Sequence, residues 1–362
     1  MKLLETKKIG SLNIKNSFVM AAMTRSRSGE NGIPTDMMVE YYEQRSTAGL
    51  IITEATNISE DAIGSPFTPG IYTKEQIIAW KKITDAVHRN GSKIVLQLWH
   101  SGRVAHSLDR NGKIPVAPSS VAITSTKHFT SKGLQDYETP KELSIDDINK
   151  IKLDYQQAAI NAIEAGFDGV ELHAANGYLP LQFLADSSNK RTDKYGGSVE
   201  NRSRFILEVL ELLIDSIGGD KVGIKLSPLQ PYGDIIFNDP IATYTYLIEK
   251  INKLDIAFVE YMKRNFTLIE TPHYPIGDEI DLLASKIKTN IIANSGYTKD
   301  NAERELERGI VSAISFGISY LANPDLPYRF ENAVELNIPK SETFFGGNEV
   351  GYVDYPFYNL NH

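Results

Sequence analysis

Polar side chains and glycines recur at one kind of place in this chain, immediately after short apolar runs. Thr24, Glu54, Gln97 with His100, His173 with Asn176, Lys225, Asn294–Ser295–Gly296 and Gly317 all stand at such ends. Any one of them reads blandly as a loop-boundary residue. Seven such ends in register instead describe a surface where donors, a cation and a carboxylate converge, as they do at the C-terminal ends of the strands of a βα barrel. The last two ends add anion chemistry. NSG at 294–296 and FG at 316–317 are short turns whose backbone N–H groups could cradle a phosphate, and loops after the seventh and eighth strands form the usual phosphate site of that fold. No GxGxxG or GxxxxGK[ST] occurs anywhere, so a dinucleotide domain and a P-loop have no support. A phosphate-bearing cofactor held in a barrel is the expectation. The histidines show no metal-ligand spacing, and no metal is assigned.

The elements that must position these residues can be read from periodicity. Strands are expected over 18–22, 50–53, 94–98, 169–172, 222–226, 256–260, 290–293 and 313–316. Helices are expected over 36–48, 74–90, 145–165, 199–217, 241–253 and 299–308, with a weaker pattern at 278–288. Most of the strand runs are apolar throughout, as when both faces are covered. Eight βα units suit a closed (β/α)8 TIM barrel of the α/β class, with a doubly wound sheet as the competitor. Ser144 and Asp147 make a capping-box start for the helix at 145, and Gly166 suits a left-handed cap at its other end. KKIGSLNIK reads as a hairpin turning at Gly10–Ser11 that could plug the N-terminal end of the barrel. Residues 101–143 carry no helical period and are rich in Gly, Ser, Thr and Pro. A structured lid is expected there, with 121–124 as a possible strand. No linker or repeat is visible, so 1–362 reads as a single domain.

Composition closes off other classes. Of 362 residues, 41% are hydrophobic and 23% charged, which leaves ample material for one large core. The net charge is −8 and no Lys/Arg run reaches five residues, which argues against nucleic acid as a partner. The absence of cysteine excludes disulfides, thiolate metal sites and a cysteine nucleophile. No signal-type h-region opens the chain, and no apolar stretch approaches the roughly 18 residues a spanning helix needs. A cytoplasmic protein without membrane or nucleic-acid partners is expected, either a monomer or a homodimer.

At the level of motifs the chain resembles the old yellow enzyme family of FMN-dependent oxidoreductases, close to the N-ethylmaleimide and pentaerythritol tetranitrate reductase branch. The likeness runs essentially end to end, through AAMTRSRS (21–28), GLIITEAT (49–56), VLQLWHSGR (95–103), AGFDGVELHAANGYLPLQFL (165–184), SSNKRTDKYGGSVENR (187–202), LANPDLP (321–327) and GYVDYP (351–356). The resemblance implies non-covalent FMN, NAD(P)H as reductant and reduction of the activated C=C bond of α,β-unsaturated carbonyl compounds. It also implies roles. Ala22, Met23 and Thr24 would meet the flavin ring, Ala55 would give a backbone contact, and Gln97 would bind the pyrimidine edge. Lys225 would stand beside N1 and O2, where the family usually has arginine. Ser295, Gly296, Gly317 and Ile318 would surround the phosphate. His173 and Asn176 would hold the substrate carbonyl oxygen, Tyr178 would donate the proton, and Trp99 and Tyr352 would line the pocket.

These residue types suit that reaction. Negative charge builds on the carbonyl oxygen as hydride arrives, and two donors aimed at it stabilise the charge only as it develops. A tyrosine, with an ordinary pKa near 10, is protonated at neutral pH and can act as general acid. Departures from the pattern concern the cofactor and the pocket wall. Lys225 keeps a positive charge but loses the planar fork of arginine. Ile318 stands where many relatives carry Arg or Lys for the phosphate, Ser295 where glycine is common, and Ser65 where an aromatic is frequent. The segment 261–277 departs most. Alternative readings are a nitroester or nitroaromatic reductase, a dienoyl-CoA reductase (disfavoured by the missing cysteines) and a ligand-binding relative without turnover.

Overall fold

The computed structural model describes residues 1–264 and 270–358. Eight parallel strands pair in chain order: β1 (Phe18–Met20), β2 (Leu50–Ile52), β3 (Lys93–Trp99), β4 (Gly169–Ala174), β5 (Val222–Leu226), β6 (Phe258–Met262), β7 (Asn290–Asn294) and β8 (Ala313–Phe316). β8 then pairs with β1, with Ser315 opposite Val19, and the sheet closes. Closure removes every edge, which excludes the doubly wound alternative and matches the (β/α)8 expectation.

The surrounding helices follow local chemistry closely. α1 (Asp36–Gln44) and α2 (Lys74–Arg89) precede α3 (Ile145–Glu164), whose start is a reciprocal capping box: Ser144 Oγ accepts from Asp147 N at 3.1 Å and Asp147 Oδ2 from Ser144 N at 3.0 Å. After β4 come the short α4 (Leu179–Leu184) and α5 (Val199–Ile217), then α6 (Pro240–Ile251), α7 (Glu279–Leu282), α8 (Lys299–Glu307), α9 (Ile318–Ala322) and α10 (Leu326–Glu331).

Three expectations need correction. The helix over 278–288 shrinks to α7 plus a 3-10 turn at Ala284–Lys286, because Leu283 leaves helical geometry (φ −133°). Residues 121–124 form no strand. The connection 101–143 is instead built from a short parallel pair, Val116–Ala117 with Lys141–Glu142, and an antiparallel hairpin, Lys127–Thr130 with Gly133–Asp136. The sixth strand begins at Phe258, two residues later than 256–260 suggested, so Glu260 sits mid-strand rather than at its end. Part of segment 261–277, residues 265–269, lies outside the described residues, as does His362.

Alternate strand residues face the lumen, and they form two regions. At the N-terminal end Val19, Leu50, Ile52, Val95, Phe258, Ile292 and Ala313 cluster with Ile9, Leu12 and Ile14 of the N-terminal hairpin (Lys7–Ile9 with Leu12–Ile14), which closes the barrel from below. Its turn needs Gly10 at φ +57°, where an added Cβ would fall 2.3 Å from the Asp220 carbonyl oxygen. One step further along the same strands the lumen turns polar, with Gln97, Glu171, Lys225, Glu260, Asn294 and Ser315 all buried.

Candidate active site

The turn after β4 is built by two successive left-handed residues, Asn176 at φ +53° and Gly177 at φ +81°. They fold the chain from the strand end into α4, whose cap is Tyr178 and whose first turn contains Pro180. Asn176 N donates to Ser227 Oγ at 3.0 Å. From α4 the buried Gln182 reaches back, its Nε2 donating to the carbonyls of Gly177 (2.7 Å) and Ser101 (3.0 Å) while its Oε1 accepts from Arg103 N (3.1 Å). The root of the 101–143 connection and the β4 turn are thus held by one side chain. That connection is tied down again by His128 Nε2 at 2.8 Å from the Gly64 carbonyl oxygen and by Thr124 N donating to Asp234 Oδ2 at 2.7 Å.

Tyr178 sits edge-on to two other rings, His173 (centroids 4.8 Å apart, 73°) and Trp99 (5.2 Å, 85°). His173 Nδ1 and Trp99 Nε1 are buried and have no hydrogen-bond partner among the described residues. Burial, with the Lys225 ammonium nearby, pushes the His173 imidazole well below its usual pKa, so it is neutral. Burial raises the Tyr178 phenol, with Tyr232 and Tyr137 adding to the effect, so it stays protonated.

Two cavities meet this turn. The smaller, about 330 Å³, runs from Asn176 and Lys225 past Ala22 to Ser295, Gly296, Gly317 and Ile318. The larger, about 670 Å³, is lined by Thr24, Trp99, Tyr178, Tyr232 and Ser65, with Phe129 and Leu134 of the 127–136 hairpin at its mouth. Met23 packs beside Gly317, where an added Cβ would lie 3.6 Å from the Met23 sulfur. Gln97 lies deeper, donating from Nε2 to Glu171 Oε1 at 2.7 Å, and Ala55 is buried at the end of β2. Tyr352 is not brought to either cavity. It is fully buried, stacked on Tyr41 at 4.1 Å, with the Arg27 guanidinium 4.5 Å from its ring. The C-terminal segment folds back over the loop after β1, where Arg25 donates to the Gly351 carbonyl, and this spends the tyrosine on packing.

The smaller cavity fits a flavin mononucleotide. Its outer end has Ser295 Oγ, buried and without a hydrogen-bond partner among the described residues, and Gly296 at φ +74°; its inner end has the Lys225 ammonium. Ser295 itself adopts φ +84°, a strained conformation for a residue with a side chain. Ile318 lies on the wall, half-exposed, and carries no charge toward that end.

Glu171, Glu260 and Gln182 are absent from the sequence-level site. For the two carboxylates a signal did exist: a carboxylate in the middle of GVELHA or FVEYM, strands whose flanking residues are mostly apolar, belongs in the lumen rather than against the helices. Burial and the adjacent Glu260 raise the Glu171 carboxyl well above the ordinary range.

A barrel cavity with the Ser295–Gly296 turn at one end, a cation at the other and a neutral His beside a protonated Tyr suits a flavin-type oxidoreductase site. Residues 2–337 match the family model of the NADH:flavin oxidoreductase / NADH oxidase family. The chain is 41% identical over 359 residues, 98% of its own length and 93% of the relative's, to 12-oxophytodienoate reductase 1 of Oryza sativa subsp. japonica. It is 41% identical over 355 residues (96% and 95%) to "Probable flavin mononucleotide-dependent alkene reductase" of Leishmania infantum. Among solved structures, morphinone reductase superposes with TM-score 0.93 at 41% identity, covering 99% of this chain and 97% of that one. The old yellow enzyme homologue from Zymomonas mobilis does so at 0.93 and 38%, covering 98% and 99%. The chain belongs to the NADH:flavin oxidoreductase / NADH oxidase family. It is an FMN-dependent ene-reductase of the old yellow enzyme type that draws on a nicotinamide donor.

Proposed function

We propose that the substrates are small α,β-unsaturated carbonyl compounds, reduced at the C=C bond, with His173, Asn176 and Tyr178 acting on them and NAD(P)H supplying the reducing equivalents. The observation that carries this reading is the ring set itself. Tyr178, held between His173 and Trp99, stands at the wall of the larger cavity, while Asn176 from the same turn lines the smaller one. Bound FMN supplies the hydride from its N5. The chain's own residues do the rest. Neutral His173, with a buried nitrogen free to bond, and the Asn176 amide hold the carbonyl oxygen and stabilise the charge that grows on it. Tyr178 keeps its proton at neutral pH and passes it to the α-carbon. Lys225 and Gln97 would hold the FMN pyrimidine edge, Ala22, Met23, Thr24 and Ala55 would meet the ring, and Ser295, Gly296, Gly317 and Ile318 would surround the phosphate.

At the mouth of the larger cavity Phe67, Phe129, Leu134 and Phe345 are all more than half exposed. Such a rim suits enones with an apolar body beyond the reacting carbonyl. A monomer or homodimer belongs to the same reading, and the cysteine-free composition fits a cytoplasmic compartment.

The test is a visible spectrum of the purified protein, then NADPH, then cyclohexenone. A yellow protein that bleaches with NADPH and recovers its colour with the enone supports the reading. Bleaching reversed only by a nitroester or nitroaromatic would move it to that class. A colourless protein that takes up no FMN in titration would overturn it.

A further inference from the structure

The polar layer of the lumen holds more charge than binding a cofactor edge requires. Register sets His173, Lys225 and Glu260 side by side on β4, β5 and β6, with Glu171 opposite Gln97 one step below. Lys225 Nζ lies 2.8 Å from Glu260 Oε2, and neither side chain is more than 4% exposed. Glu260 is held from the other side as well. Its Oε1 accepts from Ser315 Oγ at 2.5 Å, and that hydroxyl accepts from Asn294 Nδ2 at 2.6 Å. Glu171, fully buried, accepts from Gln97 at 2.7 Å and makes a carboxyl–carboxyl contact with Glu260.

The charge balance follows from these contacts. Two carboxyls and one ammonium share a dry space, and two adjacent carboxylates cannot both stay ionised there. Among the described residues Glu171 makes no ion pair, Lys225 being paired with Glu260, and its Oε2 finds no donor hydrogen. A proton on Glu171 directed at Glu260 satisfies both groups and leaves the set neutral: acid, carboxylate, ammonium. The Lys225 charge that reaches the smaller cavity is therefore largely cancelled by a carboxylate held in place by Ser315 and Asn294.

We propose that Glu260 is a positioning residue for the redox reaction: it fixes Lys225 toward the cofactor's pyrimidine edge and attenuates its charge, so that the Glu260–Lys225 pair, rather than the lysine alone, sets the flavin reduction potential. The inference rests on the FMN reading above and goes beyond it. An amide at 260 keeps the shape but uncovers the lysine charge, which favours the reduced, more negative cofactor.

The experiment is a spectroelectrochemical or dye-equilibrated measurement of the midpoint potential of FMN-loaded wild type, Glu260→Gln, Glu171→Gln and Ser315→Ala. Glu260→Gln is expected to raise the reduced-to-oxidised ratio at fixed electrode potential at least tenfold, about 30 mV for a two-electron couple. Ser315→Ala, which loosens the carboxylate while deleting only one oxygen, shifts the ratio in the same direction by about threefold. Glu171→Gln replaces a group already neutral and moves it less than threefold. Should Glu260→Gln fail to accumulate, the ordering of Ser315→Ala above Glu171→Gln decides the matter. Potentials unmoved in both Glu260→Gln and Ser315→Ala, or a Glu171→Gln shift equal to that of Glu260→Gln, overturn the proposal. Wild type that binds no FMN would instead sink the cofactor reading, a separate result.

Discussion

Glu54 is a carboxylate buried at the end of β2 with no cation paired to it among the described residues, and replacing it tests how the mouth of the barrel is held. Its Oε2 accepts from the Arg25 backbone N at 3.2 Å and its Oε1 from the Tyr42 hydroxyl at 3.3 Å, while that hydroxyl accepts in turn from Glu54 N at 2.9 Å. The Arg25 guanidinium is turned away, toward the carbonyls of Phe344, Thr343 and Gly351. Burial is the dominant influence and lifts the carboxyl from 4.5 to about 7 against those hydrogen bonds. Because the folded-state pKa lies above the unfolded one, the folded chain holds the extra proton between pH 4.5 and 7. Stability is therefore highest below that window and is lost as pH rises through it. Each pH unit is worth about 1.4 kcal/mol, so ionising Glu54 costs about 3 kcal/mol by pH 8. Glu54→Gln keeps an acceptor for Arg25 N and never ionises. The stability of Glu54→Gln minus that of wild type should rise by about 2.5 kcal/mol between pH 5 and pH 8, since part of the cost is already present at pH 5, and taking the difference cancels every other titrating group. Urea unfolding of both proteins at pH 5, 6, 7 and 8 measures it. A difference that stays flat within about 1 kcal/mol would refute the reasoning and mean that Glu54 is as well solvated folded as unfolded.

Three further perturbations probe the site. Tyr178→Phe should leave NADPH-driven bleaching at the wild-type rate but slow reoxidation by cyclohexenone roughly 10²-fold or more; stopped-flow traces of the two half-reactions check it, and wild-type reoxidation would end the assignment. Ile318→Arg restores a charge-assisted bond worth about 1.5–3 kcal/mol and should tighten FMN roughly tenfold or more while leaving riboflavin, which lacks the phosphate, unchanged in apoprotein titrations. Gly102→Ala places a Cβ 2.2 Å from Gln182 Oε1 at φ +61°. It should cost about 1–3 kcal/mol and raise amide exchange through the 101–143 connection before the barrel strands are affected.

The sequence by itself determined what neighbouring residues decide among themselves. The capping box placed α3 within a residue of its observed ends, since Ser144 and Asp147 satisfy backbone N–H groups only three positions away, and periodicity alone placed α5. Gly10 marked the N-terminal hairpin, and continuous apolar runs marked strands covered on both faces. Polar residues after those runs showed which rim of the barrel could do chemistry, and the motif resemblance extended that to a cofactor and a reaction class. Tertiary structure decided the rest, because those features depend on residues far apart in the chain. The two-residue offset of β6 is settled by its ladders with β5 and β7, and it turns Glu260 from a strand end into a buried partner of Lys225. Helix 278–288 breaks into α7 and a 3-10 turn although its local pattern permits more. Tyr352 reads as a pocket residue in its motif, yet the fold of the C-terminal segment stacks it on Tyr41. Glu171 shows how far this goes. Locally it is one more charged residue in a strand, and only closure of the barrel sets it against Gln97 and Glu260, in a space too dry for two negative charges.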